Sequence, residues 1–93
     1  MADKPTLLST PIDFERDGKQ CDYLKVPHSV HRSAYGWLPV PLVCVKNGEG
    51  PTVLLSSGVH GDEYEGQITL CNLIRDIEPE DVTGRVIILP MAN

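Results

Sequence analysis

The chain has 93 residues, which allows one small domain, and its hydrophobic and charged fractions of 41% and 23% are ordinary for a globular protein. It carries 13 acidic against 8 basic residues, a formal net charge of −5. Because phosphate binding needs clustered Lys and Arg, and the sequence has no such cluster, we expect neither a nucleic acid nor an anionic membrane as partner.

Nothing in the sequence predicts a targeting or membrane segment. No apolar run approaches the ~20 residues that span a bilayer, and residues 1–5 lack the basic start of a signal peptide. The three cysteines, Cys21, Cys44 and Cys71, are odd in number and widely spaced, unlike a disulfide framework or a paired-cysteine zinc site. We therefore expect a reducing, cytoplasmic setting.

The first half of the chain predicts a lead-in followed by a β-hairpin over 19–48. Its elements, in chain order, are a lead-in, a strand, a turn-like segment, a second strand and a turn, over 1–18, 19–27, 28–36, 37–46 and 47–51. Pro39 and Pro41 lack the N–H that a sheet ladder needs. The second strand is therefore predicted to lie at an edge, or to become regular only after Pro41.

The second half predicts a βαβ unit over 51–93. The apolar run 52–57 is typical of a strand buried on both faces of a parallel sheet. A glycine-flanked loop leads to a helix over 62–77, whose apolar residues recur at helical spacing until Pro79 ends it. A second apolar strand follows over 85–89.

These elements predict an α/β fold that is incomplete. A parallel sheet needs helices on both faces, yet one helix is predicted for four strands. The chain also stops at Asn93, just after an apolar strand, where an α/β enzyme would begin an active-site loop. We therefore expect residues 1–93 to be an incomplete segment from the start of a catalytic domain. The alternative is a small complete α+β domain with one open sheet face.

The loop between strand and helix carries the strongest candidate site. His60 follows the strand at 52–57, and Glu63 falls in the first turn of the predicted helix. One imidazole and one carboxylate three residues apart can converge on a single ion, and a hydrolytic zinc site uses three protein ligands of this mixed type. Gly58 and Gly61 would allow a tight turn.

Two simpler interpretations compete with this site. An acid in the first turn of a helix often only complements the helix dipole, and a lone loop histidine is commonplace. Asp62 has two interpretations as well: it caps the helix, which we favour, or its carboxylate orients His60.

The segment 52–66 resembles the first metal-binding segment of the succinylglutamate desuccinylase/aspartoacylase family, whose members are zinc amidohydrolases related to zinc carboxypeptidases. The family's Gly-x-His-x-x-Glu pattern maps onto Gly58, His60 and Glu63. The resemblance covers roughly 11–93. Within the family, the sequence is similar to one branch, which includes the N-acetyl-diaminobutyrate deacetylases. Further segments that agree in order are 33–36, 40–48 and 81–87.

The resemblance implies a zinc carboxypeptidase-like mixed sheet and Zn²⁺ as cofactor, with His60 and Glu63 as metal ligands. The family's third zinc ligand, substrate-binding arginines and general-base glutamate lie further along than Asn93. No catalytic residue is therefore assigned here, and we expect this chain alone to retain zinc weakly and to be inactive.

Other constellations carry less. His28 and His31 could share one face of a helix, but the turn-like segment around them favours surface positions. The stretch 56–58 ends a strand, yet Gly-x-Ser-x-Gly is absent, so a nucleophile elbow is not supported.

The sequence thus predicts the first portion of a zinc-dependent amidohydrolase that deacylates an N-acyl amino acid, with N-acetyl-diaminobutyrate as the candidate substrate. Its partner would be that small molecule, with a homo-oligomer left open. The alternative is a small non-enzymatic α+β binding or interaction module with a solvated His-x-x-Glu turn.

Overall fold

The computed structural model describes residues 8–27, 37–58 and 64–92. The described strands form one mixed sheet in the order β1-β2-β4-β3, with a helix between β3 and β4. The elements, in chain order, are β1 (Gly18–Pro27), β2 (Trp37–Asn47), β3 (Thr52–Ser56), α1 (Tyr64–Asp76), a 3₁₀ turn (Pro79–Asp81) and β4 (Gly84–Leu89). No described helix is both long and apolar enough to cross a membrane.

The predicted fold class is confirmed. β1 and β2 pair antiparallel as a hairpin, and β3, α1 and β4 form a βαβ unit whose two strands pair in parallel. β4 also pairs antiparallel with β2, which joins the hairpin to the βαβ unit. The predicted segment boundaries along the chain remain a prediction.

The prolines of β2 lie where the sheet does not need a backbone N–H to pair β2 with a neighbouring strand. β1 pairs with residues 37–46 of β2, with Pro39 opposite Lys25 and Pro41 opposite Tyr23, whereas β4 pairs only with residues 43–47. Alternate residues of a strand direct their N–H groups to the same side. Pro39 and Pro41 therefore present their missing donors to the side of β4, beyond its end. The prediction of an edge strand holds for this half of β2 and is wrong for the other half, which is interior.

Two apolar clusters cover the two faces of the sheet. On the helix side, Val45 and Ile88 are fully buried and pack with residues of α1 and with Ile77 and Val82, which lie on either side of the 3₁₀ turn. On the other side, Cys44 and Leu42 are covered by Ile12, with Phe14 beside them. Residues 8–17 of the lead-in thus serve as the cover of the second sheet face, which the sequence did not predict.

β3 differs from its prediction as a strand buried on both faces. Among the described strands it has β4 as its one neighbour, so it forms an edge. Val53 and Leu54 expose 47% and 60% of their surface, and only Leu55 packs against the helix-side cluster. The apolar residues of β3 suit a strand that packs against apolar neighbours on both faces. The described part of the chain provides few such neighbours.

Candidate metal and substrate site

The segment that is predicted to bind the metal follows the carboxyl end of β3 in sequence, and β3 is paired with β4. These two strands are parallel neighbours, so the chain leaves both of them at the same edge of the sheet. In α/β proteins this edge is where ligands bind. The predicted metal ligands His60 and Glu63, together with Asp62 and Gly61, lie outside the described residues, so their assignment stays a prediction.

Ser57 ties the end of β3 to the segment that follows β4. Its backbone N–H donates to Leu89 O at 3.0 Å, and its carbonyl accepts from the N–H of Ala92 at 2.8 Å. Its hydroxyl donates to Pro90 O at 2.6 Å. Three hydrogen bonds from one residue therefore fix the point at which the chain enters the loop toward His60.

Gly58 is the last described residue before the predicted ligands, and it needs to be a glycine. It is buried, with φ of +77°, a left-handed conformation that side-chain-bearing residues adopt reluctantly. A Cβ at this position would lie 2.8 Å from Gln67 Nε2 and 3.1 Å from Met91 Cα. The positive φ suits the tight turn that the sequence predicts, and Gly58 is packed against both Gln67 and Met91.

Helix α1 begins close to the end of β3. A Cβ at Gly66 would lie 3.1 Å from Ser57 Cβ, so glycine allows the first turn of the helix to approach the strand end. Glu65 stands in that first turn, where a carboxylate interacts favourably with the helix dipole. Its carbonyl accepts from Thr69 Oγ1 at 2.8 Å.

A groove of about 490 Å³ opens between the carboxyl half of β3 and the start of α1. Its lining combines apolar residues with hydroxyls and one carboxylate, from Leu54, Leu55, Ser56, Ser57, Glu65, Gly66, Thr69 and Leu70. The groove offers both apolar and polar surface next to the end of β3.

The charged side chains at the opposite end of the sheet are paired with each other. Lys46 Nζ lies 3.1 Å from Asp17 Oδ1, and this hydrogen bond lowers the pKa of Asp17. Arg85 Nη1 donates to Phe14 O at 2.7 Å and to Glu15 Oε1 at 3.0 Å. These contacts hold residues 8–17 in place and lie at the amino ends of β3 and β4, away from the candidate site.

The other candidates from the sequence do not form a described site. Burial raises the pKa of the Cys44 thiol, whereas Cys21 and Cys71 are exposed and free. His28 and His31 lie outside the described residues. No group of three or more His, Cys, Asp or Glu side chains is brought together within residues 8–27, 37–58 and 64–92.

The sequence did not single out the contacts of Ser57, Gly66 and Gln67. Local sequence patterns predict no partner for the Ser57 hydroxyl, because Pro90 lies 33 residues away in the chain. The available signal was the Ser-Gly pair at the end of an apolar strand, a place where a hydroxyl can bond to a neighbouring strand end.

Comparison with known proteins gives a consistent set of matches. Residues 49–93 match the family model of the succinylglutamate desuccinylase/aspartoacylase catalytic domain. The N-alpha-acetyl-L-2,4-diaminobutyric acid deacetylase of Halomonas elongata is 51% identical over 90 residues, which are 97% of this chain and 26% of the deacetylase.

Solved structures agree with the sequence matches. A succinylglutamate desuccinylase/aspartoacylase from Rhodobacter sphaeroides superposes with a TM-score of 0.83 and 52% identity, covering 92% of this chain and 27% of that one. The product-bound ectoine utilization protein EutE (DoeB) from Ruegeria pomeroyi gives a TM-score of 0.88 and 46% identity, covering 98% and 28%. The chain thus spans about a quarter of the length of the relatives that it matches.

Proposed function

We propose that the chain is the first portion of a zinc-dependent amidohydrolase of the succinylglutamate desuccinylase/aspartoacylase family, which removes an acyl group from an N-acyl amino acid. The observation that carries the proposal is the 51% identity over nearly the whole chain to a deacetylase. The position of the loop at 59–63, in sequence between the carboxyl end of β3 and helix α1, supports it.

The proposed substrate is N-acetyl-diaminobutyrate. The Halomonas relative is named for deacetylating this compound, and the Ruegeria structure carries an ectoine utilization title. The groove beside β3 has apolar and hydroxyl surface that suits a small acyl group and an amino-acid backbone. We propose a cytoplasmic setting on the basis of the free cysteines, and a homo-oligomer stays open.

His60 and Glu63 are the proposed zinc ligands in this chain. A neutral imidazole nitrogen and a carboxylate oxygen are ligand types of catalytic zinc sites, so the donor set fits the metal. When bound, zinc would supply a polarised acyl carbonyl and a water of lowered pKa. The proposed role of this chain is to bind the metal, while Asp62 caps the helix or orients the His60 ring.

The alternative, a non-enzymatic binding module, is less well supported. A module with an incidental His-x-x-Glu turn gives no reason for 46–52% identity to several enzymes of one family. Two ligands are nevertheless fewer than the three of a catalytic zinc site. We therefore propose that this chain alone binds zinc weakly and does not hydrolyse the amide.

The proposal is tested with the chain and with the complete polypeptide that its coding sequence specifies. We expect the complete polypeptide to release acetate from N-acetyl-diaminobutyrate, with activity lost in His60→Ala and Glu63→Gln. The 93-residue chain is the matched control and should show no turnover. A complete polypeptide that folds and retains hydrolysis after His60→Ala would contradict the assignment of the metal ligand.

A further inference from the structure

We propose that Cys21, Cys71 and Met91 form a binding site for a soft monovalent metal ion, Cu⁺. The three residues belong to β1, to α1 and to the segment after β4, and all of them line one groove of about 300 Å³. The rest of the lining is mainly apolar. This site is separate from the proposed zinc site, because it uses neither His60 nor Glu63.

Cys21 projects from the sheet toward the side that carries α1. It lies directly opposite Val43 in the β1–β2 pair, and directly opposed residues of two strands project from the same face of a sheet. Val43 belongs to the buried cluster on the helix side. Cys21 is exposed and its thiol is free, so an ion can reach the sulfur from solvent.

Cys71 faces the same groove from the helix. It lies three residues before Ile74, and residues three apart share one side of a helix. Ile74 lines the groove and packs against the helix-side cluster, and Cys71 is a free, exposed cysteine. Met91 joins the lining from the segment after β4, and its unbranched side chain can turn the sulfur toward the two thiols.

The donors that the groove offers are sulfur atoms. Asp22 also lines the groove, but it lies opposite Leu42, which belongs to the cluster on the other face of the sheet. Its side chain therefore projects away from α1, and its Oδ1 accepts a hydrogen bond from the Tyr23 N–H at 2.8 Å. Thiolate and thioether ligands are soft and favour Cu⁺, whereas zinc sites take four ligands that commonly include imidazole or carboxylate.

Binding of Cu⁺ needs no oxidant or reductant. Each thiol gives up its proton to water and forms a Cu–S bond as a thiolate, while the thioether donates a lone pair, so the ion remains Cu⁺. Because the two thiols share one groove, the second sulfur binds at a high effective concentration once the first has bound. The ion would link β1, α1 and the segment after β4, and it should stabilise the folded chain against unfolding.

The experiment is an anaerobic Cu⁺ titration of the 93-residue chain in competition with a coloured Cu⁺ chelator, which gives the Kd. Cys44→Ala is the matched control, because Cys44 is the remaining cysteine and is fully buried on the other face of the sheet. It should leave the Kd unchanged. We expect one ion per chain, and we expect Cys21→Ala and Cys71→Ala each to raise the Kd by a factor of about 100 or more, a typical gain from a second linked ligand.

Two further measurements distinguish the site from ordinary surface thiols. Met91→Leu keeps the side-chain volume and removes the thioether, and it should raise the Kd roughly threefold to tenfold. One equivalent of Cu⁺ should raise the urea midpoint of the wild type and leave the midpoints of Cys21→Ala and Cys71→Ala unchanged. Both cysteines are exposed, so these substitutions should not alter the midpoint in the absence of metal.

Three outcomes would overturn the site. If the wild type binds two ions and each cysteine variant binds one with the same Kd, the two thiols act separately. If Cys44→Ala weakens binding as much as Cys21→Ala, the ion is captured by unfolded chain. If Met91→Leu leaves the Kd unchanged, the thioether is not a ligand and the three-sulfur site is wrong. Neither zinc nor an acylated substrate is present in this titration, so its result does not bear on the proposed amidohydrolase function.

Discussion

Single residues at the candidate site combine backbone conformation with close packing. Gly58 has a positive φ and is enclosed by Gln67 and Met91, whereas Gly48 has a similar φ of +69° and nothing within 4 Å of where a Cβ would stand. Comparing substitutions at the two glycines therefore separates the free-energy cost of a left-handed backbone from the cost of steric crowding. The positive φ agrees with the turn that the sequence predicts at Gly58, but its crowding depends on residues far along the chain.

We expect Gly48→Ala to lower the free energy of unfolding by about 1 kcal/mol, from backbone strain alone. Gly58→Ala should cost roughly 1–3 kcal/mol more, because its methyl group also meets Gln67 and Met91. Urea unfolding followed by circular dichroism gives both values. Equal losses for the two variants would show that the packing around Gly58 yields to the added methyl group.

At the scale of elements, local patterns predicted the strands and the helix well, because apolar spacing and glycine or proline positions are properties of short segments. What they could not predict is which element covers which. The prolines of β2 fit an interior strand only because β4 is short. The sequence predicts residues 8–17 only as part of a lead-in, although Ile12 is buried against Cys44 and Leu42. The contacts of Ser57 with Pro90 and Ala92 are of the same non-local kind.

The contrast between Ile88 on β4 and Ile68 on α1 tests where the core lies. Ile88 is fully buried between the sheet and α1, and Ile68 exposes 60% of its surface. We expect Ile88→Ala to cost about 2–5 kcal/mol, the range for a buried Ile truncated to Ala. Ile68→Ala should change stability by less than about 0.5 kcal/mol. Thermal or urea unfolding measures the stability of both variants. Similar losses of stability would mean that the outer face of α1 is covered in solution.

For the whole molecule, the main feature is uneven coverage of the sheet. The β1-β2-β4 side has apolar cover on both faces, while β3 presents Val53, Leu54 and an unpaired strand edge among the described residues. Because the sequence predicts one helix for four strands, it predicts that part of the sheet lacks covering elements. It wrongly predicts β3 as a strand buried on both faces. The relatives, of which this chain spans 26–28%, have a further three quarters of their length with which to cover such an edge.

We expect the 93-residue chain to self-associate through the edge of β3 at high concentration. Leu54→Lys should shift it toward the monomer in sedimentation velocity runs, because a charge on an edge strand opposes pairing with a second copy. Ile68→Lys is the control, since Ile68 is equally exposed but lies on the helix. If both variants reduce association to the same extent, general hydrophobicity and not the strand edge drives it.

The packing of residues 8–17 has a practical consequence for how this chain can be shortened. Arg85 reaches across 71 positions to hold the carbonyl of Phe14, and Ser9 forms a bridge with Lys25 on β1. A version beginning at Gly18 would keep every strand but leave Leu42 and Cys44 open to solvent. Such a version should precipitate or bind hydrophobic dyes. The opening residues therefore act as a lining for the sheet, and a cleavable tag is better followed by the whole segment than placed directly before the first strand.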